Sequence, residues 1–179
     1  VQGSKEVPER KSKGRVMKME MYVLQVRPGC EEATAQAIAN HGYRVACPSS
    51  EMLIRYGGSW HTKVKLLFTQ YIFVECELTD DDYYRIKSVP GVVRFLGFGN
   101  PEPLQEHEQA YINLLRNGGK PIEASKIYIT SEGDMMILSG VLRQYMDSIV
   151  SCSLRQRRAK VRVTLLGKPH TITLPVTSI

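Results

Sequence analysis

The sequence predicts an α+β fold: an antiparallel sheet with helices packed on one side, followed by a small all-β barrel. Three observations support this. Between residues 21 and 117 the apolar patterns follow the order strand, helix, strand, strand, helix, strand, helix, which resembles a split βαβ arrangement. Residues 117–121, Asn-Gly-Gly-Lys-Pro, interrupt this order. Beyond them only short alternating strands remain, and a closed barrel leaves such strands without exposed edges.

The first half of the predicted sheet begins with residues 21–26, a β-branched and aromatic run that ends at Arg27-Pro28-Gly29. A helix follows from Glu31 to His41, with acidic residues in its first turn and glycine after its last. Residues 44–56 are predicted as extended chain that leads to a hairpin tip at residues 56–59. The return strand covers residues 65–68 and 71–77.

A second helix is predicted from Asp80 to Ser88, where Thr79 and Asp82 resemble a capping box. The three consecutive aspartates at its start could also hold a metal ion. Adjacent helical positions point in different directions, however, and this favours the capping role. Residues 92–96 form the next strand, and a third helix covers residues 106–116.

Charge is unevenly distributed along the chain. Residues 1–19 contain six basic and two acidic side chains, residues 20–117 nine and twelve, and residues 118–179 nine and four. We therefore predict four segments: a disordered basic tail (1–20), a first domain (21–117), a linker (118–126) and a barrel domain (127–179). The basic barrel is a candidate for binding a polyanion such as nucleic acid.

The barrel is predicted to contain four strands, at residues 135–138, 147–154, 158–165 and 170–174. Alternation along the third strand places its cations on the outer face and its small and apolar residues inside. Neighbouring turns add further basic side chains. A solvated face is the alternative, but the charge density favours nucleic-acid binding by Arg155, Arg157, Arg158, Lys160, Arg162, Lys168 and His170.

Several classes of protein are excluded by what the sequence lacks. Its apolar runs are too short to span a bilayer, and its first 20 residues lack the apolar core of a secretory signal. The four cysteines show no CxxC spacing, the four histidines are scattered, and no glycine-rich phosphate loop precedes a helix. We therefore expect a cytoplasmic, monomeric protein that is not an enzyme and has no metal, cofactor or membrane partner.

One strand in the first domain is apolar on both faces. Tyr71 and Phe73 share one face, while Ile72 and Val74 share the other. In a sheet covered by helices on one side, the second apolar face would need a partner. A plain two-sided core explains the pattern equally well, so both alternatives remain open from the pattern alone.

Three segments of the first domain together resemble the N-terminal (NGN) domain of NusG-type transcription elongation factors. They are residues 21–26 with the turn and helix that follow, residues 68–74 (Phe-Thr-Gln-Tyr-Ile-Phe-Val), and residues 88–97 (Ser-Val-Pro-Gly-Val-Val-Arg-Phe-Leu-Gly). Residues 133–179 resemble the small KOW barrel of the same family, with Gly167 at its late turn glycine. The resemblance thus extends over both predicted domains in the family's order.

This resemblance implies a protein that travels with RNA polymerase and disfavours its paused state. In such proteins an aromatic pocket on the sheet binds the polymerase clamp, which resolves the two alternatives above in favour of a partner surface. The start of the second helix faces the opposite side of the polymerase cleft, and Arg27 is similar in position to residues near the displaced, non-template DNA strand. The polymerase-binding positions that the resemblance implies are Gln25, Tyr71, Phe73 and Phe98 for the pocket and Tyr83, Tyr84 and Arg85 for the helix.

The basic run from Arg155 to Arg162 and the short, glycine-tipped middle loop are similar to specialised paralogues such as the LoaP group. That similarity implies an operon-specific antiterminator whose KOW domain binds a nascent RNA hairpin. Two alternatives remain: a general elongation factor whose barrel binds a ribosomal or termination protein, and a translation-associated RNA-binding protein without polymerase contact.

Overall fold

The structure is a computed structural model that describes residues 18–179. The basic tail predicted for residues 1–20 falls almost entirely outside the described residues. None of the helices among the described residues is long and apolar enough to cross a membrane. The first part of the described chain contains, in order, β1 (Glu20–Val26), α1 (Glu31–Asn40), β2 (Arg44–Ala46), β3 (Ser49–Tyr56), β4 (Ser59–Leu66), β5 (Tyr71–Cys76), α2 (Asp80–Lys87), β6 (Val92–Phe95) and α3 (Glu106–Arg116).

Four of these strands form an antiparallel sheet in the order β2-β5-β1-β6, with β5 and β1 at its centre. Strands β3 and β4 form a separate hairpin in which Tyr56 pairs with Ser59. The predicted hairpin tip at residues 56–59 is therefore confirmed. Gly57 and Gly58 turn the chain there, both with positive φ, a conformation that glycine adopts at little cost.

The two central strands bury both of their faces. On one face Tyr22, Leu24, Ile72 and Val74 pack against Ile38 of α1 and Ile86 of α2. The opposite face carries Met21, Val23 and Phe73, and it packs against Ile112 and Leu115 of α3. The pattern of alternation read from the sequence is thus confirmed. The apolar side chains of β1 and β5 account for the position of the first domain's core.

Helix α3 lies on the opposite face of the sheet from α1 and α2, whereas the sequence predicted all helices on one side. The chain beyond β6 continues alongside β1, where the Leu104 amide donates to the Met21 carbonyl at 2.8 Å. This path carries α3 to the face that α1 and α2 leave open. Its buried residues Ile112 and Leu115 then complete the cover of that face.

The second part of the chain forms a curled five-stranded sheet in the order β8-β7-β11-β10-β9. Its interior is filled by inward-facing residues of β10 and β11, among them Val161, Val163, Ile172 and Leu174. The predicted fold class, an α+β domain followed by a small all-β barrel, is confirmed. The strands are β7 (Ser125–Ile129), β8 (Met135–Ser139), β9 (Ile149–Ser153), β10 (Arg158–Leu165) and β11 (Lys168–Ser178).

Two features of the barrel differ from the sequence prediction. Strand β7 was not predicted, and it begins inside the segment assigned to the linker. Residues 141–148 form a 3₁₀ segment, so the strand expected from residue 147 begins at Ile149. Ser125 explains both differences: its side chain is fully buried, and its Oγ accepts a hydrogen bond from the Leu142 amide at 3.1 Å. A tertiary contact therefore fixes both segments.

Gly140, the residue after β8, lies against Ser125 at the start of β7, and it provides a test of this packing. Its φ is +99°, and a Cβ there would lie 2.6 Å from Ser125 Cα. We expect Gly140→Ala to lower the free energy of unfolding by about 2 kcal/mol or more, since backbone strain and overpacking add. Gly133→Ala is the control: its φ is +92° with no neighbour within 4 Å, so it should lose only about 1 kcal/mol. Urea denaturation followed by circular dichroism measures both, and equal losses would contradict the packing.

Candidate functional site

The aromatic pocket predicted on the first domain lies at the centre of the sheet face that carries Phe73. Phe73 is fully buried and meets Phe68 edge-on, with ring centroids 5.2 Å apart. Tyr71, on the same face, is half-buried. Gln25 lies directly opposite Tyr71 on β1, and its Oε1 accepts a hydrogen bond from Arg94 Nε at 2.8 Å. Three of the four predicted pocket residues therefore lie on one face.

Helix α3 and the barrel cover this face together. Met21, Val23 and Phe73 belong to the same continuous apolar cluster as Leu115 of α3 and Val163 of the barrel. The alternative of a two-sided core thus describes the chain in this arrangement, and the cover comes from α3 and from its own second domain. The role of the face in binding another protein stays a prediction.

At the margin of the covered face, two contacts join the predicted pocket to the turn between β10 and β11. The Tyr71 ring meets the His170 ring edge-on, with centroids 5.6 Å apart. Phe98 remains 77% exposed, with Lys168 Nζ 5.9 Å from its ring centroid. The structure thus buries Phe73, half-buries Tyr71 and leaves Phe98 open to solvent.

Helix α3 supplies the polar contacts to the barrel. Glu108 is 2% exposed, and its Oε1 accepts a hydrogen bond from the Gly167 amide at 3.2 Å, while its Oε2 accepts one from the Gln105 amide at 2.9 Å. Tyr145 is also buried, and its hydroxyl donates to the Tyr111 carbonyl at 2.8 Å. Sequence reasoning missed these residues. The sequence offered one indication, the position of Glu108 in the first turn of α3, where an acidic side chain caps the helix. That position explains a contact within α3 and gives no indication of the contact with the barrel.

The predicted helix surface, Tyr83, Tyr84 and Arg85, lies on α2, across the sheet from the covered face. The Tyr83 ring stacks on Phe95 with centroids 5.3 Å apart, whereas Tyr84 is 69% exposed. Arg85 donates from Nη1 to the Tyr43 hydroxyl at 3.3 Å. The structure therefore places this surface and the Tyr71 face on opposite sides of one sheet.

A hydrogen-bonded group fixes the start of α2. The Thr79 hydroxyl accepts from the Asp82 amide, and the Asp82 carboxylate accepts from the Thr79 amide, so the predicted capping box is confirmed. Tyr43 donates to Asp82 Oδ1 at 2.6 Å. This hydrogen bond is the main cause that lowers the pKa of Asp82, while burial is the main cause that raises the pKa of Tyr43. Asp82 thus remains a carboxylate that caps the helix.

Arg27, predicted to lie near DNA, is in the turn between β1 and α1. Its side chain is exposed, and its amide donates to the Gly91 carbonyl at 2.8 Å. This hydrogen bond ties the turn to the residue before β6. The guanidinium therefore projects from a fixed loop at the end of the sheet.

The basic residues predicted on the barrel divide among three places. Lys160 and Arg162 are exposed on the outer face of β10, opposite Thr173 and Thr171 of β11. Lys168 and His170 lie beside the first domain, as described above. The remaining members lie in or next to the turn between β9 and β10: Arg155, Arg157 and Arg158. None of the seven forms an ion pair with another described residue.

The four cysteines of the chain are all free thiols. Burial raises the pKa of the Cys47 and Cys76 thiols to about 11, so both stay protonated at neutral pH. Within residues 18–179 no three His, Cys, Asp or Glu side chains are grouped so that they could hold a metal ion.

We expect His170 to make the packing of the two domains dependent on pH. Burial, and secondarily Lys168, lowers its pKa from the usual value near 6.5, so the packed arrangement favours the neutral ring. The packing should be complete above about pH 6.5 and should weaken as the pH falls below it. Trp60, the single tryptophan, contacts the barrel through Arg157 and reports on separation by a red shift in emission.

We expect this red shift as the pH falls from about 8 to about 5 and a smaller one in His170→Gln. His41→Gln, at the exposed end of α1, is the control and should behave like the unaltered chain. An unchanged shift in His170→Gln would contradict the role of this histidine.

Comparisons with known proteins agree with this architecture. Residues 19–113, just over half of the chain, match the family model described as "Transcription termination factor nusG". The transcription termination/antitermination protein NusG of Buchnera aphidicola is 27% identical over 175 residues, which cover 88% of this chain and 93% of that protein. The protein of the same name from Haemophilus influenzae is 25% identical over 173 residues, covering 89% and 92%.

Among solved structures, "Domain interaction in Thermotoga maritima NusG" shares the fold. It matches with a TM-score of 0.59 at 24% identity, covering 89% of this chain and 94% of that chain. The chain therefore belongs to the NusG family of transcription termination and antitermination factors.

Proposed function

We propose that the chain is a specialised antiterminator that binds elongating RNA polymerase through its first domain while its barrel binds nascent RNA. One observation carries this proposal: the aromatic sheet face around Tyr71 and Phe73 lies in the region that matches the family, and part of its cover comes from a separate second domain. Proteins of the NusG family act with RNA polymerase in transcription. A sheet face from which the barrel can dissociate, and to which RNA polymerase can then bind, suits that role.

The proposed mechanism is bridging. The Tyr71 face would contact the polymerase clamp, and the exposed Tyr84 with Arg85 would contact the opposite side of the cleft. These two surfaces lie on opposite sides of a rigid sheet, as a bridge requires. A wedge bound to both sides stabilises the closed clamp, and a ligand that binds one conformation better shifts the population toward it. Arg27 would then lie near the displaced DNA strand.

Polymerase and barrel would compete for the same face. The barrel is held by apolar contacts and by few polar ones, chiefly Glu108 with Gly167 and Tyr145 with Tyr111. Separation would remove the His170 ring from Tyr71 and open the part of this face that the barrel covers to the clamp. Polymerase would bind only those chains in which the barrel has separated from the sheet. The apparent affinity for polymerase would therefore fall in proportion to the fraction of chains in this open arrangement.

For the barrel, the outer face of β10 is the main support for RNA binding. Lys160 and Arg162 are exposed, face hydroxyl side chains across the strands, and lack carboxylate partners among the described residues. RNA duplexes are recognised largely through phosphates, hydroxyls and shape, and rigidly held cations suit this chemistry. A hairpin in the nascent transcript is the proposed ligand.

A general elongation factor is the second candidate. It is favoured by curated relatives that carry the NusG name and are covered over more than nine-tenths of their length. In that case the barrel would bind a ribosomal or termination protein. Both proposed functions include binding of RNA polymerase by the first domain. They differ in the partner that the barrel binds.

Phe98 tests the polymerase surface without disturbing the core, because its ring is largely exposed. We expect Phe98→Ala to weaken binding to purified core RNA polymerase about fivefold or more, as truncation of an aromatic anchor does. Tyr128→Ala, which removes a part-exposed aromatic of the barrel, is the matched control and should change binding less than twofold. Surface plasmon resonance gives both affinities. Unaltered binding by Phe98→Ala would contradict the proposed surface.

Lys160 and Arg162 test the RNA-binding surface. We expect the double variant Lys160→Ala, Arg162→Ala to bind a labelled RNA hairpin more weakly and to reduce the slope of log affinity against log salt by roughly one for each phosphate that it no longer neutralises. Lys120→Ala with Lys126→Ala removes the same charge from exposed sites elsewhere and is the control. Fluorescence anisotropy at several salt concentrations measures the slopes. Equal losses in the two double variants would mean that only net charge matters and would favour the general factor.

A further inference from the structure

The turn between β9 and β10 contacts the β3–β4 hairpin of the first domain. The guanidinium carbon of Arg157 lies 4.3 Å from the centroid of the Trp60 ring. Arg157 is held in this position, because its amide donates to the Leu154 carbonyl at 3.2 Å and its carbonyl accepts from the Val176 amide at 3.0 Å. A cation on a rigid turn of one domain thus stacks on an aromatic ring of the other.

Around this contact lies an open cleft of about 280 Å³ to which both domains contribute. Arg55 pairs with Trp60 across the hairpin and lines the cleft from the first domain. The barrel side is lined by Arg155, Gln156 and Arg158.

The charge of this cleft is uncompensated. No carboxylate of the described chain lines it, and none of the four arginines at or beside it forms an ion pair with another described residue. Like charges gathered in a concave site focus a positive potential that attracts anions. Four guanidinium groups near one another also repel, and a bound polyanion would relieve that repulsion.

The aromatic ring that lines the cleft is that of Trp60, which is half-buried and lies on the same face of the hairpin as Arg55. Tyr56, at the hairpin tip, is 63% exposed and stacks on His61 with ring centroids 3.7 Å apart, and alternation places both of these rings on the other face of the hairpin. Guanidinium groups that bind phosphates, next to aromatic rings that stack with unpaired bases, characterise proteins that bind single strands.

We propose that this cleft binds a single-stranded nucleic acid segment and that it is complete only when the two domains are packed together. The proposal rests on the proposed function in one respect, namely that the barrel meets RNA. It adds a second site, with a contribution from the first domain, for unpaired nucleotides next to a hairpin. Duplexes do not suit it, because paired bases cannot stack on side chains.

Because Arg55 and Trp60 belong to one domain and Arg155, Arg157 and Arg158 to the other, the bound strand would favour the packed arrangement. By linkage, packing would raise the affinity for the strand by the same factor. Polymerase, which would need the face beneath the barrel, would therefore release the strand as it binds. The cleft would act as a site used before the factor engages polymerase.

The experiment measures anisotropy of labelled U12 RNA, dT12 DNA and a blunt RNA duplex with the full chain. We expect Trp60→Ala and Arg157→Ala each to weaken U12 binding about fivefold or more and to change duplex binding, which the outer face of β10 would support, less than twofold. Tighter binding of U12 than of dT12 would assign the site to RNA, and the reverse order would assign it to DNA. Quenching of Trp60 emission by U12 would place the strand at the cleft directly.

Lys126→Ala, at an exposed position of β7, is the matched control and should change U12 binding less than twofold. Arg157→Ala leaves the hairpin intact, and circular dichroism checks the fold of both variants. Unchanged U12 binding by folded Trp60→Ala and Arg157→Ala, or equal losses of U12 and duplex binding in them, would overturn the proposal. Failure of the proposed function would instead show as intact hairpin binding in the Lys160→Ala, Arg162→Ala variant or as unaltered polymerase binding by Phe98→Ala.

Discussion

Strands β1 and β5 are apolar on both faces, and the sheet that they form must therefore be covered twice. An antiparallel sheet commonly leaves one face to water. Here α1 and α2 cover the face of Leu24 and Ile72, and α3 with the barrel covers the face of Val23 and Phe73. Burial of large apolar side chains is worth about 1.5–3 kcal/mol each, so an uncovered face would be costly. The packing of the second domain onto the first follows from this requirement.

Local patterns were sufficient to predict the helices of the first domain, the hairpin tip and the capping box at Thr79, because short-range rules determine these features. The return strand predicted at residues 65–68 and 71–77 is instead two strands, β4 in the hairpin and β5 in the sheet. The sequence also predicted that Tyr71 and Phe73 share a face. It could not show what covers that face, since alternation gives the direction of a side chain and not the identity of its neighbour. Strand β7 was missed for a similar reason: Ser125 is buried through a contact with Leu142, seventeen residues away.

For the candidate site, the sequence located the basic residues but not their grouping. Alternation along β10 placed Lys160 and Arg162 on the outside, as the structure has them. The other cations lie in turns, where alternation does not apply, and tertiary packing brings Arg157 to Trp60 and His170 to Tyr71. Trp60 carried no functional signal, because a single tryptophan at a hairpin resembles any partly buried aromatic. The sequence predicted one basic surface on the barrel, whereas the structure divides the same residues among three separate places.

The packing of the barrel on the first domain and the binding of nucleic acid differ in their physical basis, so salt concentration should affect them differently. Each ion pair in the described chain joins residues within the first domain or its flanks, so no ion pair among these residues links that domain to the barrel. Their packing rests on apolar burial, which salt leaves intact or strengthens. Binding of nucleic acid to the free arginines and lysines depends on counterion release and weakens steeply with salt. Ionic strength would thus remove the nucleic acid while the barrel stays on the sheet. The acidic first domain and the basic barrel still attract each other over a longer range. This attraction speeds the association of the two domains but does not determine how stable their packing is.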